Sequence, residues 1–159
     1  MGEPLIQFNQ VCKRFGDNVV LDGVDLSIYQ GQVTAIIGKS GIGKSVLLKH
    51  IVGLLKPDEG TILFRGKPFN QMKKKEIDAC LSQMSYMFQG NALFDSMTVY
   101  ENVALPLKEK GRMPFREITR RVRDKLTQLD LAGIEDQYPS QLSGGMKKRV
   151  AMARALVTD

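Results

Sequence analysis

Gly38, Gly43, Lys44 and Ser45 stand at G-x-x-x-x-G-K-S spacing in the segment Gly38-Lys39-Ser40-Gly41-Ile42-Gly43-Lys44-Ser45. The chemistry open to such residues is the holding of a polyphosphate. Glycines let the backbone curl around a dense negative charge with no Cβ in the way, so that several N–H groups converge on it. Lys44 can reach the β- and γ-phosphates as a point charge, and the Ser45 hydroxyl can ligate Mg²⁺. Val46 opens a helical pattern, and the first turn of such a helix adds unpaired N–H donors and the positive end of a dipole. The plain alternative is a glycine turn between a strand and a helix. The flanks favour phosphate: Gln32-Val33-Thr34-Ala35-Ile36-Ile37 reads as a strand and Val46–Val52 as a helix, the order a phosphate loop requires.

A second constellation lies far downstream at Leu142-Ser143-Gly144-Gly145-Met146. Ser143 reads as a helix N-cap, and Gly144 and Gly145 leave their N–H groups uncovered at the start of a long helix. That is another anion-attracting terminus, although a simple cap followed by a glycine hinge would look the same. Phe15 and Gln89, taken alone, also admit plain readings, as an ordinary core aromatic and a polar strand end.

These groups need elements to position them. Leu5–Phe8, Val19–Leu21 and the alternating Val24–Ile28 predict strands, punctuated by turns at Asp22-Gly23 and Gln30-Gly31. Gly53 predicts the stop of the loop's helix, and Lys56–Gly60 a turn. Thr61–Phe64 predicts a strand, 73–82 a helix and Met84–Phe88 a second buried strand ending at Gln89. From Asn91 to Leu142 the pattern turns helical. Ile118, Val122, Leu126 and Leu129 recur at helical spacing across Phe115–Leu131, with Pro114 at the start and Gly133 as the stop. The simplest picture is an α/β core carrying an inserted helical lobe. Residues 1–90 form the β-rich and phosphate-loop part, 91–142 the helical subdomain, and 143–159 a helix returning to the core.

Composition narrows the class. At 159 residues, 43% of them apolar, the chain is one domain or part of one. No apolar run approaches the roughly 20 residues a membrane span needs. Met1–Pro4 lacks the pattern of a secretory signal, so a cytoplasmic location is expected. Cys12 and Cys80 are the only cysteines, without a C-x-x-C, which speaks against a metal site or a disulfide framework. The net charge of +6 suits anionic partners. Yet the basic groups (Lys73–Lys75, Arg120 with Arg121 and Arg123, Lys147–Arg149) are short and lack interleaved aromatics, so no nucleic-acid partner is expected.

Together the motifs resemble the nucleotide-binding domain of an ABC transporter. The phosphate loop matches that family's Walker A, and Leu142–Gly145 matches its signature, usually L-S-G-G-Q. Gln89, after Tyr86-Met87-Phe88, matches the Q-loop glutamine, and Phe15 matches the aromatic that stacks on adenine. The resemblance covers essentially the whole chain, in the family's order. It implies a P-loop NTPase core with an N-terminal antiparallel β subdomain and an inserted α-helical lobe. It implies ATP and Mg²⁺ as cofactors, held by Phe15, Gly38–Val46 and Ser143–Gly145, with Ser45 and Gln89 at the metal and Lys44 and Gln89 catalytic. It implies a head-to-tail homodimer in which the γ-phosphate is gripped by Lys44 of one copy and by Ser143 and the Gly145 N–H of the other. A transmembrane permease subunit would be the helical lobe's partner and the only membrane contact, at the cytoplasmic face of a bacterial inner membrane.

Family members continue past residue 159 with an apolar strand ending in Asp-Glu, the D-loop and the switch histidine. None has a candidate here, and His50 does not match the switch histidine. The chain as it stands is therefore expected to bind nucleotide poorly and to hydrolyse it negligibly. Met146 in place of Gln, with Gln89-Gly90-Asn91-Ala92-Leu93-Phe94-Asp95-Ser96-Met97-Thr98-Val99, is similar to the Mla/Mce-associated lipid transporters. That likeness implies a phospholipid cargo. An ABC ATPase for amino acids or lipoproteins, or a soluble non-transport ABC protein, stays as the alternative.

Overall fold

The structure is a computed structural model that describes residues 2–88, 90, 92–109, 111 and 113–158. The chain divides into two compact units, Met1–Met84 and Ser85–Asp159.

The first unit is built on an antiparallel sheet. Strand β1 (Ile6–Phe15) lies between β2 (Asn18–Ile28) and β3 (Glu59–Phe64), and the short β4 (Lys67–Pro68) borders β3. The expected Leu5–Phe8 strand runs on to Phe15. The two short strands predicted at Val19 and Val24 are one strand, and the turn expected at Asp22-Gly23 is a bulge within it. There the register shifts between Val11 and Lys13 of β1, and Gly23 takes φ +58. Asp25 explains why the strand carries on: its carboxylate accepts from the Gln10 backbone N–H at 2.8 Å and from the Gln10 side-chain amide, bridging the irregularity. The period-2 alternation of β1 buries Ile6 and Phe8 on one face, where they meet Leu21, Ile62 and Phe64.

Helices α1 (Lys44–Ile51) and α2 (Lys74–Leu81) complete this unit, with Leu47, Ile51 and Cys80 in the same apolar core. Gly53, at φ +70, follows α1 as expected. By contrast, the strands expected at Gln32–Ile37 and Met84–Phe88 do not form. Val33 is 99% and Ile37 93% exposed. A strand exists only by pairing, and neither run has a ladder partner among the described residues.

The second unit is helical: α3 (Val99–Glu109), α4 (Phe115–Gln128) and α5 (Gly144–Leu156). Their apolar stripes share one core around Val103, Leu107, Val122, Leu126 and Val150. Pro114 caps α4 as the sequence predicts, but Gly133 is not its stop. Asp130 takes the left-handed φ of +55, and the Leu131 N–H closes back to the Leu126 carbonyl at 2.9 Å. An aspartate tolerates this conformation better than most residues, so it substitutes for the glycine. Arg149 of α5 then donates to the Leu129 carbonyl at 3.1 Å, joining α5 to the negative end of α4. The first N–H groups of α3 are met by loop carbonyls, Val99 by Gln137 at 2.8 Å and Tyr100 by Glu135 at 2.9 Å.

Candidate phosphate-binding site

The loop from Gly38 to Gly43 leads directly into α1, with Gly43 at the N-cap in a left-handed conformation, φ +102. Two constraints make this a glycine. The backbone angle strains any L side chain, and a Cβ here would lie 2.9 Å from both the Val20 Cγ1 and the Val20 carbonyl oxygen. Strand β2 therefore packs directly beneath the loop. Gly41 is also left-handed, φ +82, but has open space around it. Gly38, Lys39, Ser40, Gly41, Ile42 and Ser45 are exposed, while Lys44 and Val46 are half-buried.

The Lys44 ammonium donates to the Gly38 carbonyl at 2.7 Å and the Lys39 carbonyl at 2.6 Å. Its positive charge thus sits over the loop's own mouth. The earliest backbone bond of α1 runs from the Leu47 N–H to the Gly43 carbonyl at 2.9 Å. The N–H groups of Lys44, Ser45 and Val46 precede it, and they are the donors that helix geometry leaves unpaired. An open glycine backbone, a helix N-terminus, an ammonium and an exposed hydroxyl fit a nucleotide polyphosphate. They also fit Mg²⁺ held by Ser45 and phosphate oxygens. Among the described residues no group of three or more His, Cys, Asp or Glu comes together as an independent metal site.

Phe15 ends β1 at the hairpin tip, paired with Asn18, and its ring is 47% exposed. Val20 of the same hairpin packs against Gly43. Lys13 lies 5.6 Å from the ring centroid. Its ammonium is tied to Asp58 at 2.7 Å, and Asp58 also accepts from the Arg14 N–H at 2.7 Å. These two bonds, Lys13 first, hold the Asp58 carboxyl below the usual carboxylate range. Spacing could not reveal this anchor, because Asp58 and Lys13 meet only through the pairing of β1 with β3. The only signal was the Pro57-Asp58 turn.

Ser143 caps α5 as expected, its hydroxyl accepting from the Met146 N–H at 3.2 Å and its carbonyl from the Lys147 N–H at 2.9 Å. Ser143, Gly144 and Gly145 are all exposed. The phosphate loop and this terminus fall in different units. Gln89 lies outside the described residues. His50 is buried on α1, its Nδ1–H donating to the Val46 carbonyl at 2.7 Å.

Comparison with known proteins agrees with this geometry. The family model described as ABC transporter matches residues 21–159. The probable ribonucleotide transport ATP-binding protein mkl of Mycobacterium tuberculosis is 40% identical over 154 residues, covering 97% of this chain and 43% of that protein. The intermembrane phospholipid transport system ATP-binding protein MlaF of Haemophilus influenzae is 39% identical over 159 residues, covering 100% of this chain and 60% of that protein. The dimeric ATP-binding cassette MJ0796, bound to ADP and Pi, superposes with a TM-score of 0.84 at 34% identity, covering 96% of this chain and 69% of that one. An α/β phosphate-loop ATPase fold is thus established, and the chain belongs to the ABC transporter family. It spans roughly half the length of the curated relatives it matches.

Proposed function

We propose that this chain is the ATP-binding part of an ABC transporter subunit that couples ATP binding and hydrolysis to transport. The observation that carries the reading is the exposed backbone from Gly38 to Ile42 running into the helix start at Lys44, whose ammonium already sits over the Gly38 and Lys39 carbonyls. In this reading Phe15 stacks on the adenine. Residues Gly38–Val46 cradle the phosphates, Lys44 steadies the charge that develops on the γ-phosphate, and Ser45 with Gln89 holds Mg²⁺. Bound Mg²⁺ would neutralise phosphate charge. Ser143, Gly144 and Gly145 act on the nucleotide of a second copy, and the same surface meets itself in a two-fold pair. The dimeric cassette structure supports that arrangement. ATP closes the pair because it binds the closed state better.

The cargo we favour is phospholipid, moved across a bacterial envelope by a permease on whose cytoplasmic side this subunit docks. The match to MlaF along the entire chain supports it, together with the L-S-G-G-M signature. The similarity to mkl supports a different cargo and keeps the alternative alive. No described helix is long and apolar enough to cross a membrane, so membrane contact is assigned to the permease.

Ser143→Arg in the full-length protein tests the two-chain reading. The variant should bind ATP in the monomer as the wild type does, yet release phosphate at a small fraction of the wild-type rate. Loss of ATP binding by the monomer would mean that Ser143 serves its own chain's nucleotide.

A further inference from the structure

Residues 92–98 have no secondary structure of their own, yet they are fastened at both ends. At one end Ala92 adopts a left-handed φ of +43, a conformation that strains an alanine. Its carbonyl accepts from Arg154 Nη1 of α5 at 2.8 Å, and the same guanidinium lies 6.0 Å from the Phe94 ring centroid. At the other end stands Asn102 of α3, whose side chain is fully buried. Its Oδ1 accepts from the Phe94 N–H at 2.8 Å. Its Nδ2 donates toward the carbonyls of Phe94 at 3.0 Å, Met97 at 3.1 Å and Thr98 at 3.0 Å. A buried carboxamide so fully used specifies one loop conformation, since any other leaves it unpaired.

Arg154 lies in the last turn of the helix that Ser143 begins, about 16 Å away along α5 at 1.5 Å per residue. One rigid helix therefore carries the signature at its start and the grip on Ala92 at its end. We propose that Arg154 is a positioning residue which clamps the Ala92 end of residues 92–98 to α5, while Asn102 ties the rest of the segment to α3. The segment that follows Gln89 and the signature then move as one body during the nucleotide cycle. The inference rests on the two-chain reading, in which a partner's nucleotide engages Ser143–Gly145. When that end of α5 is pulled, Ala92 and the half-exposed Phe94 ring follow.

The test uses the full-length protein as wild type, Arg154→Met and Arg154→Lys. It reads amide exchange across 92–98 with and without a non-hydrolysable ATP analogue and Mg²⁺, together with the kcat and KM of ATP turnover. In the wild type the analogue should slow exchange of the Phe94 and Met97 amides. Arg154→Met removes a charged donor, so exchange there should rise about tenfold or more and stop responding to the analogue. Its kcat should fall about tenfold while KM stays within about twofold, since the phosphate loop is untouched. Arg154→Lys, which keeps a cationic donor, should recover most of both. Wild-type exchange in Arg154→Met overturns the clamp. Faster exchange that still responds to the analogue, or an unchanged kcat, overturns the coupling. If the wild-type protein itself neither binds the analogue nor turns over ATP, the functional reading fails. The nucleotide-free exchange of Arg154→Met still decides whether the clamp exists.

Discussion

Gly41 and Gly43 obey the same motif, yet they need glycine for different reasons. At Gly41 only the backbone angle excludes a side chain, while at Gly43 the angle and the Val20 backbone both do. Gly41→Ala should therefore cost about 1–2 kcal/mol, the price of a left-handed L residue. Gly43→Ala should cost more, about 2–4 kcal/mol, because the steric conflict with Val20 adds to the strain. Paired thermal melts would show the ordering, and nucleotide titration should weaken more for Gly43→Ala. Equal losses would mean that β2 yields to the new methyl. Lys44→Ala should behave oppositely. Its partners are exposed backbone carbonyls, so stability should change by less than about 1 kcal/mol while ATP turnover by the full-length protein collapses.

At the scale of elements, α4 shows how charge and burial divide along one helix. Val122 is fully buried among the helices of its unit, and Val122→Ala should destabilise that unit by about 1–3 kcal/mol. Amide exchange confined to 99–157 would locate the effect. On the opposite face Glu117 accepts from Arg120 and Arg121, which together hold its carboxyl down to about 2. The carboxylate is thus favoured in the folded state, and its contribution is present above its ordinary value of 4.5. That contribution fades as the pH falls from there through about 2. Glu117→Gln should flatten this acid limb of the stability curve and leave the slope between pH 6 and 8 unchanged. Because the group is solvated, the effect should shrink in high salt.

At the scale of the whole molecule, the phosphate loop and the signature serve different sites if the pair is head to tail. Full-length subunits carrying Lys44→Ala alone or Ser143→Arg alone should both be inactive. Mixed and allowed to exchange partners, they form some pairs with one doubly damaged site and one intact site. Random pairing places an intact site in half of the dimers, so about a quarter of the wild-type sites return. A phosphate-release assay on the mixture reads this directly, and no recovery at any ratio would speak against sites shared between copies.

The sequence by itself determined the local conformation. Gly38–Ser45, Ser143–Gly145 and the caps at Pro114 and Ser143 are short-range signals, since each depends on a backbone angle or a helix end within a few residues. The stripe of α4 was legible for the same reason. What only the tertiary structure decided were the effects of distant pairing. The bulge at Gly23 continues β2 because Asp25 reaches Gln10. Asp58 anchors the Phe15 end of β1, Val20 closes under Gly43, and Arg154 finds Ala92. The runs at Gln32–Ile37 and Met84–Phe88 mark the limit most clearly. Their apolar, β-type residues state a preference, but a strand is a relation between two segments, and residue type alone cannot supply the second.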